Sequence, residues 1–443
     1  ARRRGIFHNL FYSSASAYTL SGNTITALAD VNETGAWDGI LLASMQNTAS
    51  TAANNSINGA GVTAVPKTGI HVWNCQVAPL ISGGTIVGVG TGINVNNFEG
   101  YPTAGSNAGN TSATIDGVSI SSITTAGIKI QDSPSNTNGA TVFAEVKNTT
   151  ITGGATGILV SGADATANVH DNPSTITLSG IGIDVDGGTA TVHRNNITAN
   201  GLGVRATNGG QLTSVTENFI TNNTSDGILI TATAGVIGNI NTNNLAGNSS
   251  KAINNQSAAT LAATCNWYGA TLPATVATKI SGPVTYAPYL TTGVDEQPGT
   301  NGFQNTSCKT VVFADPALVD VNITDLSDVL VNANLLPLNS VNRVHVPVLN
   351  LDQDPLHIVP AGTTKIRLDL GNKMILDPSF NLATAPLSTY FNWSKVVESG
   401  NDVIYGDQIA DLPPSFVGDA YFQTIATIPG TSKDTATFQV TNH

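Results

Sequence analysis

One four-residue pattern limits what this chain can become: a glycine, an apolar residue, any residue, and a second apolar residue. It recurs as Gly39-Ile40-Leu41-Leu42, Gly69-Ile70-His71-Val72, Gly92-Ile93-Asn94-Val95, Gly127-Ile128-Lys129-Ile130, Gly157-Ile158-Leu159-Val160, Gly182-Ile183-Asp184-Val185, Gly203-Val204-Arg205-Ala206 and Gly227-Ile228-Leu229-Ile230. Gly5-Ile6-Phe7 reads as an earlier copy and Ala252-Ile253-Asn254 as a weaker late one. Successive glycines are 30, 23, 35, 30, 25, 21 and 24 residues apart. Self-similarity at a period of about 20–50 residues marks a solenoid. A spacing in the twenties suits a rung of three short strands and three turns, with loops inserted where it is longer. Strands this short are stable only when each rung stacks on the next, at about 4.8 Å. A helical reading fails, because no helical periodicity is sustained and Gly, Asn and β-branched residues are poor helix formers.

A second pattern lies between the copies: an apolar residue, an Asn-rich turn and another apolar residue. Examples are Val192-His193-Arg194-Asn195-Asn196-Ile197, Val215-Thr216-Glu217-Asn218-Phe219-Ile220 and Ile240-Asn241-Thr242-Asn243-Asn244-Leu245. Such short alternation reads as strand. Gly, and less readily Asn, is expected to supply the left-handed backbone of tight corners. Asn side chains at equivalent corners are expected to stack into a hydrogen-bonded ladder, while Ile and Val fill a narrow core. Only 10% of the residues are charged, well below the usual quarter or so. Yet 40% are apolar and regularly placed, which excludes disorder.

The stack is expected to stop near Cys265-Asn266-Trp267-Tyr268-Gly269-Ala270 and Gly282-Pro283-Val284-Thr285-Tyr286-Ala287-Pro288-Tyr289-Leu290, where aromatics appear abruptly. An open solenoid end exposes core and strand edges. Trp267, Tyr268, Tyr286 and Tyr289 read as its cap, with a sugar-stacking platform as the functional alternative. Residues 291–308 hold Gly, Pro, Asn and acidic residues without periodicity and read as a linker. Beyond them charge rises and strands lengthen, at 341–349, 364–370, 387–397, 418–427 and 434–441, which suggests an antiparallel β-sandwich. The expected fold class is all-β: a right-handed parallel β-helix over 1–290, a linker over 291–308, and an antiparallel sandwich over 309–443.

The Asn266-Trp267-Tyr268-Gly269 element and the Gly282–Leu290 stretch after it resemble the terminal segment of the right-handed β-helix repeats of bacterial surface proteins, which share the pectin-lyase-like fold. The resemblance covers roughly residues 1–290. It implies a large surface protein or adhesin of the kind common in Bacteroidota. The region after 308 resembles the immunoglobulin-like modules that follow β-helices in such proteins, a likeness of class that assigns no ligand.

The net charge of −12 is uneven, with 10 basic against 13 acidic residues in 1–290 and 7 against 16 in 291–443. Neither part offers a basic patch, which argues against nucleic acid or an anionic membrane as partner. Arg2-Arg3-Arg4 reads as a solvated end. No run approaches the roughly 18 apolar residues of a membrane span, and no apolar core of a signal peptide follows the opening arginines. The opening already resembles a repeat, so the chain is expected to be a fragment or processed product of something larger. Cys75, Cys265 and Cys308 form no CxxC pair, and so no zinc or redox motif. Cys265 and Cys308 flank the junction and can bridge in an oxidising compartment, which leaves Cys75 buried and free.

Resemblance to the pectin-degrading hydrolases would call for an Asn-Thr-Asp segment, an Asp-Asp pair and a Gly-His-Gly segment, the paired carboxylates acting as acid and base. None of these strings occurs. The lyases of this fold would call for clustered Asp ligands to calcium and an Arg or Lys base. The seven Lys and Arg residues of 5–290 are never closer than 11 positions. The nearest candidates are the outward residues Lys129, Asp184, Asp186, Arg205 and Asp226. Asp184 and Arg205 sit at the same place in adjacent rungs, about 5 Å apart. They read as a solvated ion pair worth under about 1 kcal/mol rather than a catalytic dyad. His170-Asp171 and His193-Arg194 also recur at matching places, but stacked histidines would need a third ligand to hold a metal. Asp352 and Asp354 resemble part of a calcium loop without the Gly and distal Glu of an EF-hand, and read as loop solvation. Sequons such as those at Asn110 and Asn305 arise by chance in an Asn/Thr-rich chain. No catalytic, cofactor-binding or metal residue is assigned, and no cofactor is expected.

The expected function is that of a non-catalytic extracellular or cell-surface structural protein or adhesin. It would act as a rigid stalk or bind surface glycans or other extracellular polymers, beside neighbouring modules of a larger chain. The alternative is a polysaccharide lyase or glycoside hydrolase with an unfamiliar site, which needs clustered carboxylates or bases along one sheet. Ice binding by a flat Thr face is not supported, because the aligned outward position holds His, Asn, Lys, Leu, Asp, Arg and Leu.

Overall fold

Each copy of the glycine motif from Gly5 to Gly203 lies within a strand, and successive copies pair in parallel. The structure is a computed structural model. It describes residues 3–9, 17–27, 36–45, 50–61, 67–97, 109–134, 136, 139–271, 273–290, 292–305, 308, 322–324, 326–328, 336, 338–350, 359–362, 364–413, 416–428 and 438–442. Eleven strands, from Arg3–Asn9 to Ile280–Ser281, form one sheet. A second sheet of fifteen strands carries two further ladders, which run together through the long strands Ala165–Thr177 and Thr189–Thr198. The register is strict. Ile70, Ile93, Ile128, Ile158, Ile183, Val204 and Ile228 stand in one column, and all of them are buried. Cys75 belongs to the same core, free and buried; burial pushes its thiol up to about 11.

The motif glycines are not among those that supply left-handed corners. None from Gly39 to Gly227 has a left-handed backbone. A Cβ on Gly157 would stand 2.5 Å from Gly182 O and 2.6 Å from Ile176 Cγ2. Gly39, Gly69, Gly92, Gly127, Gly182 and Gly203 face the same kind of obstruction, from the next glycine's carbonyl and from Ile57, Ile86, Ile120, Ile151, Ile197 and Ile220. The requirement is steric: an isoleucine of the third ladder occupies the space a side chain would need. Left-handed backbone falls at other positions, among them the corner between the second and third ladders, where Gly22, Gly83 and Gly117 supply it as expected. There Asn148, Asp171, Arg194, Glu217, Thr242 and Cys265 have φ of 50°, 50°, 54°, 57°, 54° and 58°. Most of these residues pay an intrinsic penalty of about 1–2 kcal/mol there.

The residue after that corner explains why the strain is tolerated. Asn172, Asn195, Asn218, Asn243 and Asn266 are fully buried and stacked. Asn172 Nδ2 donates to Asn195 Oδ1 at 2.7 Å, Asn195 Nδ2 to Asn218 Oδ1 at 3.0 Å, and Asn218 and Asn243 donate onward at 2.9 Å each. Each amide also donates to a carbonyl of the preceding rung, as Asn218 does to Val192 O at 3.0 Å. The carbonyl oxygens of Asn218, Asn243 and Asn266 each take the backbone N–H of the Asn before, as in Asn195 N to Asn218 Oδ1 at 2.9 Å, and that of Asn172 takes the Thr149 N–H. A second ladder of Asn200, Asn223 and Asn248 repeats the scheme at the next corner. The expected amide ladder is therefore present twice.

The end of the stack is closed by tyrosines. Tyr268 and Tyr289 are buried, and Tyr268 Oη donates to Ala263 O at 2.6 Å. Tyr286 packs against both, with ring centroids 6.3 and 6.5 Å away. Burial raises the hydroxyl pKa of Tyr268 and pushes that of Tyr289 up to about 12. The enclosed rings of Tyr268 and Tyr289 cannot stack a sugar, while Tyr286 is half-buried. Trp267 belongs elsewhere: its backbone bridges Asn244, and its indole lies where a Cβ on Gly293 would be, 2.3 Å from Nε1.

Residues 292–305 have neither helix nor strand, as a linker would, but they do not hang free. Phe303 is fully buried against Phe219, ring centroids 5.5 Å apart, and its N–H donates to Glu217 O at 2.8 Å. Asn301 Nδ2 donates to Asp171 O at 3.4 Å. Gly302 passes so close that a Cβ would stand 2.4 Å from Arg194 Cα. The segment is a strap laid back along the Asn corner, and Cys308 at its end is disulfide-bonded to Cys265. Composition could not show this, since a strap and a tether use the same turn residues.

The chain divides into two compact units, residues 1–271 with 275–308, and 309–443 with 272–274. The second contains two four-stranded antiparallel sheets. One is ordered Asn322–Thr324, Val341–Leu349, Val417–Ala426, Met374–Leu376; the other Phe391–Glu398, Asn401–Gln408, Thr364–Asp369, Phe438–Asn442. Val344, Ile366, Leu368, Trp393 and Phe422 belong to one buried cluster, with the rings of Trp393 and Phe422 5.0 Å apart across the sheets. Asp352 and Asp354 lie outside the described residues.

Two substitutions test this packing. Gly157→Ala should destabilise the first unit by about 1–3 kcal/mol through overpacking. Gly299→Ala, with open space around it, should be close to neutral; urea midpoints compare the two. Asn218→Ala strands the Asn195 N–H and removes a donor to Val192 O, at about 1–3 kcal/mol each, so thermal or urea unfolding should show a loss of about 2–6 kcal/mol.

Candidate functional site

Polar side chains on the outer face of the first sheet come from the third position of the motif. Register stacks His71, Asn94, Lys129, Leu159, Asp184, Arg205, Leu229 and Asn254 in one column. Asp184 and Arg205 meet as expected and form a two-pronged pair, Arg205 Nε to Oδ1 at 2.9 Å and Nη2 to Oδ2 at 2.8 Å. Asp184 is nearly buried and Arg205 about one-third exposed, so the pair is less solvated than the sequence suggests. The hydrogen bond to Asp184 raises the Arg205 pKa. Asp186 accepts from Asn208 Nδ2 at 2.8 Å. Buried Asp226 accepts from the Lys251 N–H at 3.0 Å and from Asn254 Nδ2 at 2.9 Å. Lys129 stands apart from them, between Asn94 and Leu159 in the register, and burial lowers its pKa.

The histidine stack lies on the second sheet, where His170 and His193 pair in register, but their surroundings differ. His170 sits between Asp171 Oδ2 at 2.8 Å and Glu145 Oε1 at 3.1 Å. Burial alone would raise the Glu145 pKa, but His170 and Lys147 outweigh it and the net shift is downward. His193 Nε2 accepts from Arg194 Nε, which requires that nitrogen to be unprotonated. Burial first, and then the Arg194 charge, hold the His193 pKa below its usual value. Both ring nitrogens of His170 and Nε2 of His193 are thus engaged by protein partners, and among the described residues no group of three or more His, Cys, Asp or Glu could hold a metal ion.

One pairing was not anticipated. Asp38 and His71 are both fully buried, with Asp38 Oδ1 3.7 Å from His71 Nδ1, and His71 Nε2 lies 3.3 Å from Asn96 Oδ1. The available signal was a histidine at the outward motif position one rung from an aspartate that precedes the motif glycine.

Residues 105–267 match the family described as "Right handed beta helix region". With the parallel stacking above, this identifies the first unit as a right-handed parallel β-helix. Pectate lyases, hydrolases and adhesins share that family, so the match carries the fold and not the activity. No curated protein matches the chain.

The histidines predict a pH effect. The native state keeps His193 neutral, while the unfolded chain takes up a proton below about pH 6.5. The stability this supplies is complete above that pH and is lost as pH falls through the lower native value. A His193→Gln variant should therefore lose less stability than the parent between about pH 7 and pH 5, as read by urea midpoints at each pH.

Proposed function

We propose that the chain belongs to a non-catalytic, extracellular or cell-surface protein whose β-helix is a stiff rod, followed in sequence by an immunoglobulin-like sandwich, of the kind found in bacterial adhesins. One observation carries this reading. The carboxylates of the outer face are committed to neighbours on adjacent rungs, Asp184 to Arg205, Asp186 to Asn208 and Asp226 to Asn254. Charges used this way brace the stack and are not poised as an acid and base. The Cys265–Cys308 bridge supports an oxidising compartment. Among the described residues no helix is long and apolar enough to cross a membrane. Amides and hydroxyls exposed along the rod suit contact with surface glycans or other extracellular polymers.

The second reading is polysaccharide cleavage, favoured by Lys129, whose lowered pKa suits a base on the same face. Incubation with acidic and neutral polysaccharides separates the two. The rod reading expects unchanged polymer length, with Asp184→Asn lowering the unfolding midpoint. New reducing ends or unsaturated sugars that disappear in Lys129→Ala would contradict it.

A further inference from the structure

Cys265 occupies the left-handed corner directly before Asn266, the last amide of the longer ladder. Cys308 is the last residue of the first unit, immediately before the second unit resumes at 309. Between them the chain forms the tyrosine cap, runs back along the Asn corner as the strap, and returns. The two cysteines lie 43 residues apart in sequence, but their Cα atoms are 5.2 Å apart.

We infer that the Cys265–Cys308 bridge is a tension bypass: a pull on the chain beyond 308 enters the ladder corner directly, and the cap and strap carry none of it. For its biological use this rests on the rod reading above. The two routes differ in how their bonds would be loaded. Without the bridge, a pull at 308 first reaches the strap, whose anchors to the rungs are spaced singly: Phe303 N to Glu217 O and Asn301 Nδ2 to Asp171 O. These would be loaded one after another and peel. The cap would follow, through Leu290 N to Asn266 O and Cys265 N to Pro288 O. With the bridge, load arrives at Cys265, where Cys265 O accepts from Thr242 N at 3.0 Å. The adjoining Asn266 donates to Ile240 O and accepts from both Asn243 N and Asn243 Nδ2. Those bonds share the load, and the strap lies slack beside them.

Reduction is the control the chemistry offers. An added dithiol exchanges with the bridge: the S–S bond breaks, two Cys thiols form, and the dithiol is oxidised to its own cyclic disulfide. The bypassed 43 residues then become extensible, by about 14 nm at roughly 3.4 Å per residue. The full chain, held by its two ends in single-molecule force spectroscopy, provides the test. The reduced chain should show an early release of about 14 nm that the oxidised chain lacks, and Cys308→Ser should show it with or without dithiol. Identical extension of the oxidised and reduced parent chains, or an early release in the oxidised chain, would overturn the inference. Because the dithiol acts on the folded parent, the result does not depend on how the variant folds. Were the rungs themselves to unravel at the loads that open the strap, the rod reading would fail while the oxidised-minus-reduced length difference remained, so the two claims fall separately.

Discussion

The close approach between one motif glycine and an isoleucine of the third ladder sets the dimensions of the β-helix. Ile176 Cγ2 lies where a Cβ on Gly157 would be, and the carbonyl of Gly182 lies against the same point from the next rung. That contact draws the first and third ladders together and keeps the cross-section narrow. Once the section is fixed, every rung must turn its corners at the same places, and equivalent residues stack. The Asn ladders follow from this. A corner repeated at one height can satisfy its buried N–H and C=O groups from the rung above and the rung below. An amide side chain, with both donor and acceptor, is suited to linking them. The left-handed conformations of Asp171, Arg194 and Glu217 are held by the same bonds.

The low charge of the first unit has the same origin. Side chains at one position of successive rungs stand about 4.8 Å apart, so like charges there would repel and opposite charges pair. Asp184 with Arg205, and His170 with Glu145 of the preceding rung, are outcomes of that spacing. A stack of this kind gains cohesion from amides without using many ions. It also leaves few titratable groups free for chemistry, which is why the functional reading rests on how the charged groups are spent.

Much of the first unit was legible in the sequence, because a solenoid writes its period into the chain. The strand positions, the amide ladder and the Asp184–Arg205 pairing follow from residues recurring at matching places, and the tyrosine cap from aromatics appearing where the repeat stops. What escaped was whatever the period itself does not encode. The steric role of the motif glycine was not legible, because its φ and its neighbours across the core are invisible in one dimension. The strap at 292–305 carries no periodicity, so its burial of Phe303 against Phe219 could not be read. The Asp38–His71 pair joins two different motif positions, so no single recurring column shows it; Asp226 with Asn254 is the same arrangement on later rungs. In the second unit, alternation exposed Val341–Leu349 but not Asn401–Gln408, whose burial pattern alternates only in part.

The central claim is that the buried amide ladder ties neighbouring rungs into one cooperative unit. Native-state hydrogen exchange at the backbone N–H groups of Asn195, Asn218 and Asn243 measures this directly. The account predicts that the three exchange together, only through unfolding of the whole β-helix, and with a free energy well above that of the strap amide of Phe303. Separate opening of individual rungs, or protection at Asn218 no greater than at Phe303, would contradict it.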